Sequence, residues 1–157
     1  MAPPALLLAL ARAVSAVARL SLGPLLPLLS LDLHIDIYAK GQLLSAFSTG
    51  YLLTQVGGGF LADRLGARVV VFAALAATGL LLLAAPAAGL DHGAGGLAAV
   101  YFALGLVNGP LFPACSVVLR EVSPKGRSQA TALVDAGGTL GGCLAMALCP
   151  ALATWVG

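Results

Sequence analysis

Charged side chains are scarce in this sequence of 157 residues, where Asp, Glu, Lys and Arg together account for 9% and hydrophobic residues for 60%. An ordinary soluble domain carries roughly 25% charged residues. The shortage of charge excludes a domain with a water-exposed surface of the usual kind and indicates an integral membrane protein in a lipid bilayer. The net charge of +2 is too small to indicate a nucleic-acid partner.

Cysteine and histidine are also rare. Cys115, Cys143 and Cys149 are odd in number, lie in apolar runs and lack CxxC spacing, so we predict neither a disulfide framework nor a zinc site. The segment 32–36, with His34 between two aspartates, has ligand types that a metal accepts, although a solvated turn is the favoured interpretation. No Ser/His/Asp set, HExxH motif or pair of histidine ligands is present, and we predict no enzyme, no cofactor and no metal.

Long apolar runs fill most of the remaining sequence. A helix needs about 20 residues to cross a bilayer, and the N-terminal run outlasts the apolar part of a signal peptide. We therefore predict an all-α membrane protein in which residues 1–157 form part of a transmembrane domain. Its helices are predicted at about 4–30, 42–61, 69–90, 97–119 and 129–155.

Basic residues are distributed unevenly among the predicted loops. By the positive-inside rule, loops rich in Lys and Arg face the cytoplasm. This places the N-terminus and the second and fourth loops in the cytoplasm, and leaves Lys40 on the opposite side. The cytoplasmic set comprises Arg64, Arg68, Arg120, Lys125 and Arg127.

Polar residues on the first predicted helix share one stripe, because Arg12, Ser15 and Arg19 are spaced i, i+3, i+7. Arg19 lies on the order of 22 Å from the start of the helix, where its charge needs a cavity. A guanidinium group without an acid on its own helix suits an anionic ligand, which it binds with two parallel hydrogen bonds. A structural role, as the partner of Asp135 or of carbonyl groups at a helix break, remains the alternative.

Asp135 is the only acid inside a predicted span and lies about 12 Å into the fifth helix. Burial in a low-dielectric cavity favours proton uptake, so Asp135 is the candidate proton-coupling residue, with pairing to Arg19 as the alternative. On the second helix, Ser48, Tyr51 and Gln55 share a stripe and are suited to lining a pore.

Glycine and proline mark the packing of the later helices. Glycine pairs at four-residue spacing permit close helix contact, and prolines inside the fourth span should bend it. The pairs are Gly105 with Gly109, Gly137 with Gly141 and Gly138 with Gly142, and the prolines are Pro110 and Pro113.

The segment GGFLADRLGAR at 58–68 resembles the GxxxDRxGxR loop motif of the major facilitator superfamily. More narrowly, GYLLTQVGGGFLADRLG at 50–66, GLVNGPLFPAC at 105–115 and SPKGRSQATALV at 123–134 resemble its anion:cation symporter branch. That branch includes sodium/phosphate cotransporters, sialin and vesicular glutamate transporters. The resemblance covers most of the chain and corresponds to the N-terminal six-helix half of a twelve-helix fold.

This resemblance implies a function and a set of site residues. Arg19, in RLSLG, matches the family arginine implicated in anion recognition, whereas Tyr101 and Asn108 stand where the family has Arg and Glu. The implied protein is part of a secondary active transporter that moves an organic anion or phosphate by alternating access, coupled to protons or sodium. The implied substrate-binding residues are Arg19, Ser48, Tyr51, Gln55, Tyr101 and Asn108, and the cytoplasmic loop motif comprises Gly59, Asp63, Arg64, Gly66 and Arg68.

The chain ends where the fifth predicted span reaches the membrane surface, which leads us to expect a fragment that lacks the C-terminal half of the transporter. The alternative is a truncated, non-transporting membrane protein that associates with other helices through its glycine faces.

Overall fold

The computed structural model describes residues 3–32, 35–120 and 124–156, and these form helices joined by short connections. The prediction of an all-α chain is confirmed for this described part. The helices, in chain order, are α1 Pro3–Leu20, α2 Leu22–Asp32, α3 Ile37–Leu65, α4 Ala67–Asn108, α5 Leu111–Arg120 and α6 Pro124–Val156.

Three stretches of the described chain are long and apolar enough to cross a membrane: Ala5–Leu31, Ala67–Arg120 and Gly126–Ala153. The second predicted span lies within α3 and is not one of them, because Ser, Thr, Gln and Gly dilute its aliphatic residues. Large apolar side chains are widely exposed, among them Val56 at 91% and Leu83 at 80%. So much exposed apolar surface is typical of a protein that faces lipid rather than water.

The first apolar stretch is divided at Ser21 into α1 and α2. Pro24 has no N–H group to bond the carbonyl four residues earlier, which accounts for the irregularity. The interruption is slight, since the Ser21 N–H still donates to the Val17 carbonyl at 3.0 Å.

Helix α4 folds back on itself. Within one straight helix, Thr78 and Asn108 would lie about 45 Å apart along the axis, yet the Asn108 amide nitrogen lies 2.9 Å from the Thr78 hydroxyl. The reversal occurs at Gly93, whose φ of +61° and ψ of −145° are open to glycine but unfavourable for other residues. We call residues 67–92 the first limb of α4 and residues 94–108 its second limb.

Gly66 joins α3 to α4. Its φ of +88° lets one residue end α3 at Leu65 and precede α4 at Ala67. The Gly66 carbonyl then accepts hydrogen bonds from the N–H groups of Val69 and Val70, at 3.1 and 3.2 Å. A single glycine therefore sets the turn between two long helices.

Glycine allows close contact at both main helix interfaces, as the sequence predicts. Helix α3 packs chiefly against α4, and α1 against α6. A side chain at Gly105 or Gly109 would meet the α3 backbone, and one at Gly137 or Gly141 would meet the backbone of α1. The predicted role of these two glycine pairs in tight packing is confirmed.

The chain is also interrupted at Gly109 and Pro110, between α4 and α5, where the sequence predicts a bend. The Pro110 carbonyl accepts the Ala114 N–H at 3.0 Å, so the helical path resumes one residue later.

We expect Gly105→Ala to destabilise the protein by about 1–3 kcal/mol, because the new methyl group would overlap the Phe47 carbonyl and lie 2.8 Å from the Tyr51 nitrogen. Gly79→Ala is the matched control, since nothing lies within 4 Å of that site. It should be neutral or stabilising by up to about 1 kcal/mol through helix propensity. Unfolding in SDS-containing mixed micelles measures both changes, and equal stability of the two variants would refute the packing role of Gly105.

Candidate functional site

Arg19 lies in the last turn of α1 within an apolar segment, roughly 21 Å along the helix from Ala5. Its guanidinium carbon lies 5.8 Å from the centre of the Phe47 ring on α3, a distance at which a cation and a ring attract. The structure forms no ion pair between Arg19 and Asp135 or any other described acid. The Arg19 residue is exposed in this chain and forms no hydrogen bond to another described residue.

Three aromatic residues lie near Arg19. Phe47 and Tyr51 stack on α3, with ring centres 6.0 Å apart and planes inclined by 19°. Phe47 also shares an apolar cluster with Tyr101, whose hydroxyl lies 3.5 Å from the Ser21 hydroxyl. Tyr101 itself lines a groove of about 450 Å³ between α2 and α4. Phe47 thus links Arg19 on α1 with Tyr51 on α3 and with the apolar cluster that contains Tyr101 on α4.

Asn108 lies in a separate, closed polar network. Its amide oxygen accepts a 2.6 Å hydrogen bond from Ser15, and its nitrogen donates to the Thr78 hydroxyl at 2.9 Å and the Leu104 carbonyl at 2.8 Å. Thr78 in turn donates to the Ala74 carbonyl at 2.7 Å. All three side chains are buried, and every donor and acceptor site on the amide has a partner except one lone pair. The network joins α1 to both limbs of α4.

The remaining predicted lining residues are less enclosed. Ser48 is exposed and Gln55 is half-buried on α3, both on the helix that carries Tyr51. Asp135 is exposed on α6, one turn before Gly138, and its backbone carbonyl accepts the Thr139 hydroxyl at 3.1 Å.

Arg12 occupies a position that the sequence alone did not single out as a site. Its guanidinium carbon lies 5.1 Å from the centre of the Phe112 ring on α5, and its Nε is completely buried without a hydrogen-bond partner. The stripe shared with Ser15 and Arg19 is the signal that could have marked it. Ala11 and Val134, the neighbours of Arg12 and Asp135 in sequence, share one apolar cluster with Cys115, so α1, α5 and α6 meet near these residues.

The loop motif lies at the junction of α3 and α4. Asp63, Arg64 and Arg68 are exposed, and the Arg64 guanidinium carbon lies 4.4 Å from the centre of the Phe60 ring. Gly66 supplies the positive-φ turn, while Gly59 is half-buried near Pro113. Between α5 and α6, the Arg127 guanidinium donates to the Arg120 carbonyl at 3.0 Å. This hydrogen bond satisfies a carbonyl group at the C-terminal end of α5.

His34 and the side chains of Asp32 and Lys125 lie outside the described residues. Within the described residues, no three metal-ligating side chains come together. Asp36 begins α3 as its N-terminal cap, with its carboxylate accepting the Ile37 N–H at 2.7 Å. The three cysteines are free thiols.

The apolar helices, their lipid-facing side chains and the guanidinium groups held between them define an integral, multi-pass membrane protein. Residues 8–157 match the Major Facilitator Superfamily, and the chain belongs to that family. Its curated relatives lie in the anion:cation symporter branch.

The relatives carry the names of transporters. The chain is 40% identical over 106 residues to the voltage-gated purine nucleotide uniporter of Rattus norvegicus, covering 64% of this chain and 23% of that protein. It is 32% identical over 114 residues to sialin of Ovis aries, which covers 72% of this chain and 23% of sialin. It is 32% identical over 117 residues to a Drosophila ananassae protein named as an inorganic phosphate cotransporter. The match covers 74% of this chain and 24% of that protein. The chain thus matches about a quarter of the length of these relatives.

We expect Thr78→Val to destabilise the protein by about 0.5–2 kcal/mol, because it removes the hydroxyl that accepts from Asn108 across the two limbs of α4. Thr49→Val is the matched control, since the exposed Thr49 hydroxyl bonds to the Ser45 carbonyl of its own helix at 2.9 Å. The free energy of unfolding in mixed micelles measures both. A loss as large for Thr49→Val as for Thr78→Val would show that the cross-limb bond is not the cause.

Proposed function

We propose that this chain is the first part of a secondary active transporter that moves a small anion, an organic carboxylate or phosphate, across a membrane by alternating access. In this proposal the chain supplies one side of a central cavity, and a C-terminal half that lies beyond it supplies the other. It binds solute and catalyses no reaction.

One observation carries the proposal: Arg19 presents a guanidinium group deep in an apolar stretch without a described acid to neutralise it. A charge at that depth is costly unless a cavity, water or a counter-ion is present. The described partner of the guanidinium is the Phe47 ring, which attracts the cation but offers no oxygen or nitrogen acceptor to its N–H groups. Those groups match the oxygens of a carboxylate or phosphate. The names of the relatives, which include anion and phosphate transporters, support the same class of solute.

We further propose five membrane crossings. The stretch Ala67–Arg120 has 54 residues and would measure about 81 Å as one straight helix, far beyond the roughly 30 Å of hydrocarbon. The reversal at Gly93 divides it into two segments of membrane length. With Ala5–Leu31, Gly126–Ala153 and the 29-residue helix α3, the total is five. The uneven distribution of basic residues supports a cytoplasmic N-terminus.

Asp135 is proposed as the proton-coupling group. It is exposed on α6 and forms no ion pair with a described cation. Ser48, Tyr51, Gln55 and Tyr101 are proposed to line the cavity. Asn108, whose buried amide is already bonded to Ser15, Thr78 and the Leu104 carbonyl, is proposed to join the helices behind it instead. A sodium ion is the alternative coupling ion.

A non-transporting protein that associates through its glycine faces is the competing function. Gly137 and Gly141 already pack against α1, and Gly105 and Gly109 against α3, so these faces are occupied within the chain itself. This occupancy favours the transporter. Coding sequence for seven further apolar spans after Gly157 would support it, and an immediate stop codon would support the competitor.

In the full-length transporter we expect Arg19→Ala to abolish uptake and Arg19→Lys to weaken substrate affinity by roughly tenfold, since lysine keeps the charge but loses the fork. Asp135→Asn should alter the pH dependence of uptake and leave anion affinity unchanged. Lys40→Gln, which removes one positive charge near the start of α3, is the control and should transport normally. Uptake by reconstituted liposomes at several pH values measures these effects. Normal uptake by Arg19→Ala would refute the site.

We also expect Asp63→Asn to lower uptake several-fold without reducing the amount of protein in the membrane, because the loop motif is proposed to hold the cytoplasmic side in place. Uptake and membrane abundance should be measured together, with Asp91→Asn, in the turn of α4, as a control. Loss of abundance would instead assign Asp63 a role in folding, and full uptake would leave it no role in the transport cycle.

A further inference from the structure

Arg12 has the features of an unassigned ligand-binding group. It lies seven residues into the apolar stretch that begins at Ala5, so its guanidinium sits roughly 10 Å from the start of that stretch. The group is always charged and carries five N–H donors. Its Nε is completely buried and has no acceptor.

The described neighbours of Arg12 stabilise its positive charge but do not accept a hydrogen bond from its Nε–H group. Phe112 lies over the guanidinium, with 5.1 Å between the guanidinium carbon and the ring centre. A ring attracts the cation across its face but accepts no hydrogen bond from the in-plane N–H groups. Asp135, an acid on the neighbouring helix α6, forms no ion pair with Arg12 in the described structure. An unpaired buried donor is costly, so the site lacks an acceptor.

Gly138 on α6 leaves part of the guanidinium uncovered. An added Cβ at this position would lie 3.7 Å from a terminal nitrogen and 3.8 Å from Nε, at ordinary van der Waals distance, so a side chain here would cover these atoms. Arg12 and Gly138 are both half-buried, so this part of the surface is partly open in the described chain. An oxyanion that binds here meets the terminal nitrogens, because Nε itself is buried.

Arg12 and Arg19 form a series. They lie seven residues apart on one stripe of α1, or about 10.5 Å along the axis, and each contacts an aromatic ring of another helix. Between them, Ser15 is neutral and its hydroxyl is already bonded to Asn108. No acid lies on this stripe between the two arginines, and the buried pair of Ser15 and Asn108 separates them.

We propose that Arg12 forms a second anion-binding site, separate from Arg19, which takes a carboxylate or phosphate oxyanion at the edge of its guanidinium between Phe112 and Gly138. The inference rests on the proposed anion transport and adds to it a second binding position along α1.

A thiol placed beside the guanidinium tests this locally. Gly138→Cys is introduced with the three native cysteines replaced by alanine, and the protein is reconstituted in lipid nanodiscs. The rates of reaction with an anionic and a cationic methanethiosulfonate are then compared. One positive charge about 5 Å away should make the anionic reagent react faster than the cationic one. Arg12→Gln should lower the ratio of the anionic to the cationic rate on the order of tenfold.

Inorganic phosphate is the ligand probe. It should slow labelling at position 138 in the protein with Arg12, lose this effect in Arg12→Gln, and act more weakly in Arg12→Lys, which keeps the charge but not the fork. Arg19→Gln, the matched removal of charge two turns away, should leave the protection intact. Thr139→Cys serves as the reporter if Gly138→Cys fails to insert.

Three outcomes would overturn the proposal. Phosphate protection that persists in Arg12→Gln would show that the anion binds elsewhere, and protection lost only in Arg19→Gln would assign it to Arg19 alone. Protection that appears only after Asp135→Asn would show that Asp135, rather than an anion, neutralises Arg12. Uptake is measured separately with the Arg19 variants, so a failure of the transport function is distinguished from a failure of the second site.

Discussion

Hydrocarbon offers no hydrogen-bond partner, and the polar side chains of this bundle are arranged to meet that constraint. Most of its hydroxyl groups bond to carbonyls of their own helices, as Thr49, Thr131 and Thr139 do. Asn108 has too many polar atoms for that solution and instead joins Ser15 and Thr78 across three helical segments. Among the described residues, the one buried side-chain nitrogen or oxygen without a hydrogen-bond partner is Nε of Arg12 on α1.

Close backbone contact is the second requirement, because helices in lipid gain little from excluding water between them. Glycine meets it on the two sides of the bundle, at α3 against the second limb of α4 and at α6 against α1. Phe47, whose carbonyl meets Gly105, contacts Arg19, and Phe112 on α5 contacts Arg12. The close contact between α3 and α4 therefore also positions the residue whose ring lies beside Arg19.

The sequence predicts the helical class, the family motif and the glycine faces, because apolar length, charged turns and small-residue spacing are local patterns. It predicts Arg19, Ser15 and Arg12 on one stripe for the same reason. It does not predict that Thr78 binds Asn108 or that Phe112 lies over Arg12, since these contacts join residues that are distant in sequence. Apolar length and charge also do not predict that the two limbs of α4 join at Gly93 with almost no loop. That connection depends on the backbone conformation of one glycine.

Gly66 has a consequence for how the bundle can move. Only one residue separates α3 from α4, so their covalent connection has essentially two soft torsion angles, both of them at Gly66. A longer linker would let the two helices slide and twist independently, whereas this joint allows them only to pivot. Any shift of α3 at the far side of the membrane must therefore reach the charged end of the bundle as a rotation about a single glycine.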